Sequence, residues 1–213
     1  MRKLSRSGTA ASTTSSNGES PTTSVVPASL ADPSLPLPRL IVFDLDYTLW
    51  PFWVDTHVTP PLKANGAHTA AADRHGEDFA FYADVPSILQ LLPRAASPEN
   101  PIKLGVASRT PTPGIARDLL KMLHLPGPKG KKAGDAFDAG MEIYPGSKMK
   151  HFEVLHKRTG IAYEDMLFFD DESRNMETEK LGVTMRLIRD GVTWGEVEKG
   201  VEEWRKRRGY KKN

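Results

Sequence analysis

Four short apolar runs punctuate the chain, at Leu40–Leu45, Lys103–Ala107, Met166–Phe169 and Thr184–Ile188, and segments with helical spacing lie between them. That alternation predicts a parallel sheet covered by helices on both faces, an α/β architecture. The helix boundaries carry their own signals. Asp84 with Pro86 opens one helix through Leu92, and Thr112 with Pro113 opens another through Leu123, proline suiting a first helical turn. Ser147 is placed to cap a helix running to about Arg158, which Gly160 ends. Asn175 starts a short helix ended by Gly182, and Thr193-Trp-Gly-Glu196 has capping-box spacing before the last helix.

Two stretches break the rhythm. Trp50–Phe81 is rich in aromatic, proline and small residues, and Pro126–Gly140 carries Gly-Pro-Lys-Gly-Lys-Lys, the composition of a flexible surface loop. Residues 1–38 are dominated by Ser, Thr, Ala and Pro and hold no acidic residue before Glu19, so a disordered extension is expected there. Arg2, Lys3 and Arg6 among hydroxyl residues loosely suggest an organellar leader, but the apolar helical face of one is missing. One domain over 39–204 follows, and residues 205–213 form a basic tail, read as a solvated helix end whose cations complement the helix dipole.

Composition narrows the chemistry. A chain of 213 residues with 38% hydrophobic content suits one well-buried domain plus tails. Having no cysteine, it contains no disulfide, zinc-thiolate site, iron–sulfur cluster or cysteine nucleophile. The net charge is +2, and no apolar stretch approaches the roughly 20 residues of a membrane span. A soluble, cytoplasmic protein with no membrane partner is expected, a nuclear address through the basic tail being the alternative. Nucleic acid is disfavoured as a partner, because the basic residues are not interleaved with stacking aromatics.

The first apolar run ends on Asp44-Leu-Asp46-Tyr-Thr48. Residues i and i+2 of an extended segment share a face, so the two carboxylates are expected to converge where the strand runs out. Alone, Asp-x-Asp is commonly a strand-end turn. Its chemical reading is covalent phosphoryl transfer, with Asp44 the nucleophile and Asp46 the acid/base. An anion attacking an anion needs positive charge, for which Mg²⁺ with all-oxygen ligands is the usual source. In open parallel sheets ligands sit beyond the carboxyl ends of strands, and the other strands end suitably. Ser108-Arg109-Thr110 offers a hydroxyl, a guanidinium and amides for phosphate oxygens. Asp170-Asp171-Glu172 supplies further carboxylate, and Lys148 stands at a helix start, where amides and an ammonium favour an anion.

Taken in order, Asp44-x-Asp46-x-Thr48, Ser108, Lys148 and Asp170-Asp171 resemble the four motifs of the haloacid dehalogenase superfamily. The longer runs Val42–His57, Ala107–Thr110, Glu142–Lys148 and Phe168–Glu172 are similar to its magnesium-dependent phosphatase-1 group, with likeness from about Arg39 to Trp194. The resemblance implies a Rossmann-like core with a small β-hairpin flap. It also implies an aspartyl-phosphate on Asp44, acid/base work by Asp46, and Mg²⁺ held by Asp44, the Asp46 main-chain carbonyl and Asp171. It assigns phosphate to Ser108, Arg109 and Lys148, and the substrate entrance to Trp53. Chemistry alone does not order Asp170 and Asp171; the choice follows the family. Trp50 and Phe52 read equally as an aromatic cluster covering the sheet edge. The chain departs from the family core in its leading extension, Pro93–Pro101 and Pro126–Gly140, none of which touches a motif.

The gaps between motifs leave no room for a cap domain. An open site admits bulky phosphorylated groups, and the resemblance implies phosphotyrosine-type substrates or sugar phosphates on glycated amines, carried by a small molecule or a phosphoprotein. Transfer to an acceptor other than water is an alternative. A non-catalytic phospho-binding module is another, against which the complete motif set argues.

Overall fold

The computed structural model describes residues 26–97, 100–127 and 130–210. In chain order they form α1 (Ala28–Ala31), β1 (Leu40–Phe43), α2 (Val54–His57), β2 (Lys63–Ala64), β3 (Ala71–Ala72), β4 (Asp78–Phe79), α3 (Val85–Leu91) and β5 (Lys103–Ser108). There follow α4 (Pro113–Met122), β6 (Gly140–Ile143), α5 (Lys148–Thr159), β7 (Met166–Asp170), β8 (Thr184–Leu187) and α6 (Trp194–Arg207).

The large sheet is parallel throughout, in the order β6-β5-β1-β7-β8. Successive side chains leave a strand on opposite faces, and this alternation builds two separate cores. Ile41, Phe43, Leu104, Val106, Leu167 and Phe169 face the layer containing Ile88, Leu119, Val197 and Val201 of α3, α4 and α6. Leu40, Val42, Met166 and Phe168 face Phe152 and Leu155 of α5 on the other side. The three central strands β5, β1 and β7 are therefore largely apolar on both faces, as expected for a sheet covered twice.

The predicted strands and helices are present, with one addition. Residues Gly140–Ile143 form edge strand β6, where only a loop ending at Gly140 was expected. Trp50–Phe81 folds into α2 and a small antiparallel sheet, β2-β3-β4, in the place expected of a flap. Among the described residues there is no inserted cap domain. The short helix expected from Asn175 is a 3₁₀ helix over Ser173–Leu181, starting two residues earlier, and Gly182 ends it with φ 105°.

The caps operate as predicted at two helices. Ser147 Oγ accepts from the Met149 N–H at 3.1 Å, and Gly160 closes α5 with φ 67°. Thr193 Oγ1 accepts from the Glu196 N–H at 3.1 Å, but the Glu196 carboxylate pairs with Arg186 and Lys199 at 2.9 Å each.

The expected extension and tail need correction at their inner ends. Of residues 1–38, the first 25 lie outside the described residues, whereas 26–38 pack on the domain. Leu30 is buried in the core, Ser29 Oγ donates to Glu198 at 2.6 Å, and Arg205 donates to Pro36 O at 2.8 Å and Ser29 O at 3.1 Å. Arg205 is thus a buried strut, not part of a solvated basic tail. Leu30 supplies the apolar anchor that the hydroxyl-rich composition hid.

Candidate active site

Every predicted site residue except Trp53, which precedes α2, lies at or just beyond the carboxyl ends of β1, β5 and β7, or at the amino end of α5. Strand β1 stops at Phe43, so Asp44 is the first residue past it, held by its N–H donating to Phe169 O at 3.0 Å. The chain then turns. Thr48 N–H donates to Leu45 O at 3.1 Å, and Tyr47 takes φ 51°. The shared face of an extended strand is therefore not what places Asp46; the turn does. Its carboxylate Oδ1 accepts from the Trp50 indole at 2.7 Å and the Val54 N–H at 3.3 Å.

Lys148 is fully buried between two carboxylates, with Nζ 2.8 Å from Asp44 Oδ1 and 2.9 Å from Asp170 Oδ2, and donates to Ala107 O at 2.5 Å. Burial alone would lower the ammonium's pKa, but Asp44 and Asp170 outweigh it and hold the group above its ordinary value. Asp44 is pushed up to about 7 by burial, Lys148 opposing and Asp170 adding to the rise. Burial likewise lifts Asp46 to about 7, against the Trp50 hydrogen bond. Asp171 reaches about 6 from burial and the neighbouring Asp170 charge. Carboxyls of this kind, displaced toward neutrality in one small region, mark a site poised for proton or phosphoryl chemistry.

The acidic pair divides its work. Asp170 is fully buried, and both its oxygens are committed. Oδ1 accepts from the Glu172 N–H at 2.8 Å and Asn175 Nδ2 at 2.9 Å, while Oδ2 takes Asn175 Nδ2 at 2.9 Å and Lys148. Asp171 is half-buried. Asp44, Asp170 and Asp171 each offer an oxygen within 4.8 Å of the others, an all-oxygen donor set that fits a hard divalent cation.

Ser108 is buried at the end of β5, its Oγ accepting from the Thr110 N–H at 3.4 Å. Arg109 Nη1 donates to Asn175 Oδ1 at 3.3 Å. Trp53 is 51% exposed and lies edge-on to Tyr47, with ring centroids 5.1 Å apart, and parallel to His57 at 5.9 Å. It forms part of the rim beside Asp46. Two residues had a site contact that the sequence reading did not give them. Trp50 stacks on Phe52 at 5.4 Å, as a sheet-edge cluster would have it, but its indole N–H is also the donor to Asp46. Asn175 was read as a helix start, whereas its amide meets Asp170 and Arg109. The i, i+4 spacing of Asp46 and Trp50 was the available signal for the first; the second depends on tertiary packing.

A family model described as Acid Phosphatase matches residues 36–207, which contain all of these groups. The chain belongs to that family. A HAD-like hydrolase superfamily protein of Schizosaccharomyces pombe is 43% identical over 152 residues, covering 71% of this chain and 86% of its own. Human magnesium-dependent phosphatase 1 is 43% identical over 171 residues, covering 80% of this chain and 89% of its own. A putative magnesium-dependent phosphatase of Saccharomyces cerevisiae is 35% identical over 173 residues, covering 74% and 92%. This member of the family thus shares nearly the whole length of its relatives, and its residues 26–35 lie ahead of the match.

Proposed function

We propose that the protein is a Mg²⁺-dependent phosphatase that hydrolyses phosphomonoesters through an aspartyl-phosphate on Asp44. The observation that carries this reading is Lys148, buried between Asp44 and Asp170 with Asp171 adjacent, at the carboxyl ends of neighbouring strands. The relatives named for magnesium dependence support the same cation.

Asp44, Asp171 and the Asp46 main-chain carbonyl would hold Mg²⁺, which when bound offsets phosphate charge and favours attack by an anion. The Asp44 carboxylate attacks phosphorus, and the phosphorus–oxygen bond to the leaving group breaks. Asp46, held near neutrality, gives its proton to that departing oxygen, then removes one from the water that attacks the acyl phosphate. Water's oxygen leaves with phosphorus as inorganic phosphate, and Asp44 is restored. Lys148 neutralises Asp44 between turnovers, while Ser108 and Arg109 hold the phosphate oxygens.

The exposed Trp53 beside Tyr47 gives the rim a flat apolar surface, and no cap domain covers it among the described residues. This suits phosphotyrosine-type esters or phosphorylated sugars on glycated amines, as small molecules or on a protein surface. The test is hydrolysis of a generic aryl phosphate with Mg²⁺. Turnover should cease with EDTA and fall by at least about 10³-fold in Asp44→Asn, given the usual scale for removing a nucleophile. Unchanged turnover in that variant would remove the nucleophile from the scheme.

A further inference from the structure

Asn175 is fully buried, and all of its side-chain capacity is spent on charged groups of the site. Its Nδ2 lies 2.9 Å from each Asp170 oxygen and 3.3 Å from Glu172 Oε2, while its Oδ1 accepts from Arg109 at 3.3 Å. Asp170 in turn holds Lys148 at 2.9 Å. One neutral amide thus joins the guanidinium beside the phosphate position to the carboxylate that anchors the central ammonium.

Its neighbours do not need it for their own folding. Strand β7 ends before it, the 3₁₀ segment already has its backbone bond from the Asn175 N–H to Glu172 O at 3.0 Å, and Thr178 Oγ1 caps the Asn175 carbonyl at 2.9 Å. The segment's own backbone hydrogen bonds are therefore made without this side chain. An amide is also the side chain that fits both ends, since it presents a donor to a carboxylate and an acceptor to a guanidinium without adding charge. A carboxylate in its place would face Asp170 as a second anion, and an apolar group would leave Arg109 and Asp170 without their buried partner.

We infer that Asn175 is a positioning residue, which through Oδ1 fixes the Arg109 guanidinium for phosphate and through Nδ2 holds Asp170 against Lys148. The inference rests on the phosphatase reading for Arg109's role, and its consequence is energetic coupling between Asn175 and Arg109. Groups that act through one another show non-additive effects, whereas groups that merely share a fold add.

The test is a double-mutant cycle read on the dissociation constant of inorganic phosphate, measured by calorimetry with Mg²⁺ present, together with kcat and KM for an aryl phosphate. Asn175→Leu should weaken phosphate about 10-fold in the native background and clearly less, about 3-fold, in Arg109→Ala, where only the hold on Asp170 is left to lose, in keeping with the energy of one charge-assisted hydrogen bond. The same weakening in both backgrounds, or none in either, overturns the inference. Asn175→Ala, which removes the same donor and acceptor without adding a branched side chain, replaces Asn175→Leu in the cycle if the latter does not fold. Phosphate binding is scored whether or not the protein turns over, so absence of hydrolysis in the native chain refutes the phosphatase reading without deciding this one.

Discussion

Lys148→Met removes the ammonium and keeps most of the buried stem, so it isolates charge from packing. In the native chain the ammonium serves two carboxylates, at 2.8 and 2.9 Å, and the Ala107 carbonyl at 2.5 Å, with no solvent to replace it. Taking one partner from a buried ion pair costs about 3–5 kcal/mol, mostly because the remaining charge stays buried. Here pH sets how much of that cost is felt. Burial has already raised Asp44 above its unfolded value to about 7 with Lys148 opposing the rise, so losing Lys148 moves it higher. A carboxyl raised on folding binds its proton more tightly in the folded state, so its stability penalty grows as pH rises through the folded pKa and fades toward the unfolded value. Urea unfolding in EDTA should therefore show a loss of about 3–5 kcal/mol at pH 8.5. At pH 5.5, where Asp44 is protonated in both proteins, the loss should be smaller by at least about 1.4 kcal/mol, one pKa unit's worth. Saturating Mg²⁺ should return about 2.7 kcal/mol at a hundred times its dissociation constant. Equal losses at both pH values, or a loss below about 1 kcal/mol at pH 8.5, would falsify the assignment of Lys148 as the counter-charge of Asp44.

Three other outcomes follow from the same geometry. Trp50→Phe deletes the hydrogen bond that lowers the Asp46 pKa, so the alkaline limb of the kcat/KM profile, where Asp46 must be protonated, should move to higher pH; an unmoved or lowered limb contradicts the acid role. His151 is buried with Nε2–H donating to Tyr144 O at 3.1 Å, and burial, then Lys148, holds it down at about 4. Because its unfolded form takes a proton near 6.5, stability should be full above that pH and decline as pH falls toward 4, by at most about 3 kcal/mol before solvent screening, and His151→Gln should flatten that part of a thermal-denaturation pH series. Arg205→Ala removes the two hydrogen bonds to Pro36 and Ser29, so it should cost about 1.5–3 kcal/mol and hasten proteolytic cleavage within 26–38; unchanged cleavage would show that Leu30 alone holds the segment.

The strands that carry chemistry were legible because each is apolar throughout and ends abruptly on charged or hydroxyl residues. The helix caps at Ser147 and Thr193 were legible because capping is local. Strand β6 was not, since Gly140 at φ 116° and two half-buried positions at Gly140 and Met141 disguise an edge strand as the end of a loop. The sites of Asp44, Ser108 and Arg109 could be anticipated from strand ends, and that of Lys148 from a helix start. The division between Asp170 and Asp171 could not: it is created by Asn175 and Lys148 arriving from other parts of the chain. Likewise the packing of residues 26–38 involves Arg205, which sits 176 positions from Ser29 and has no sequence signature for that contact.

That strut has a geometric consequence for anything joined to the chain. Residue Arg39 enters β1 by donating to Asp165 O, and α6 runs back so that Trp204 and Arg208 also meet residues 164 and 165. The start of β1 and the last turn of α6 therefore lie together at the amino end of the sheet's strands. Asp44 and Asp171 stand at the other end, about 15 Å away along strands of four to six residues. A probe attached at Arg208 therefore stands at the end of the sheet opposite Asp44 and Asp171, and it leaves the candidate site uncovered.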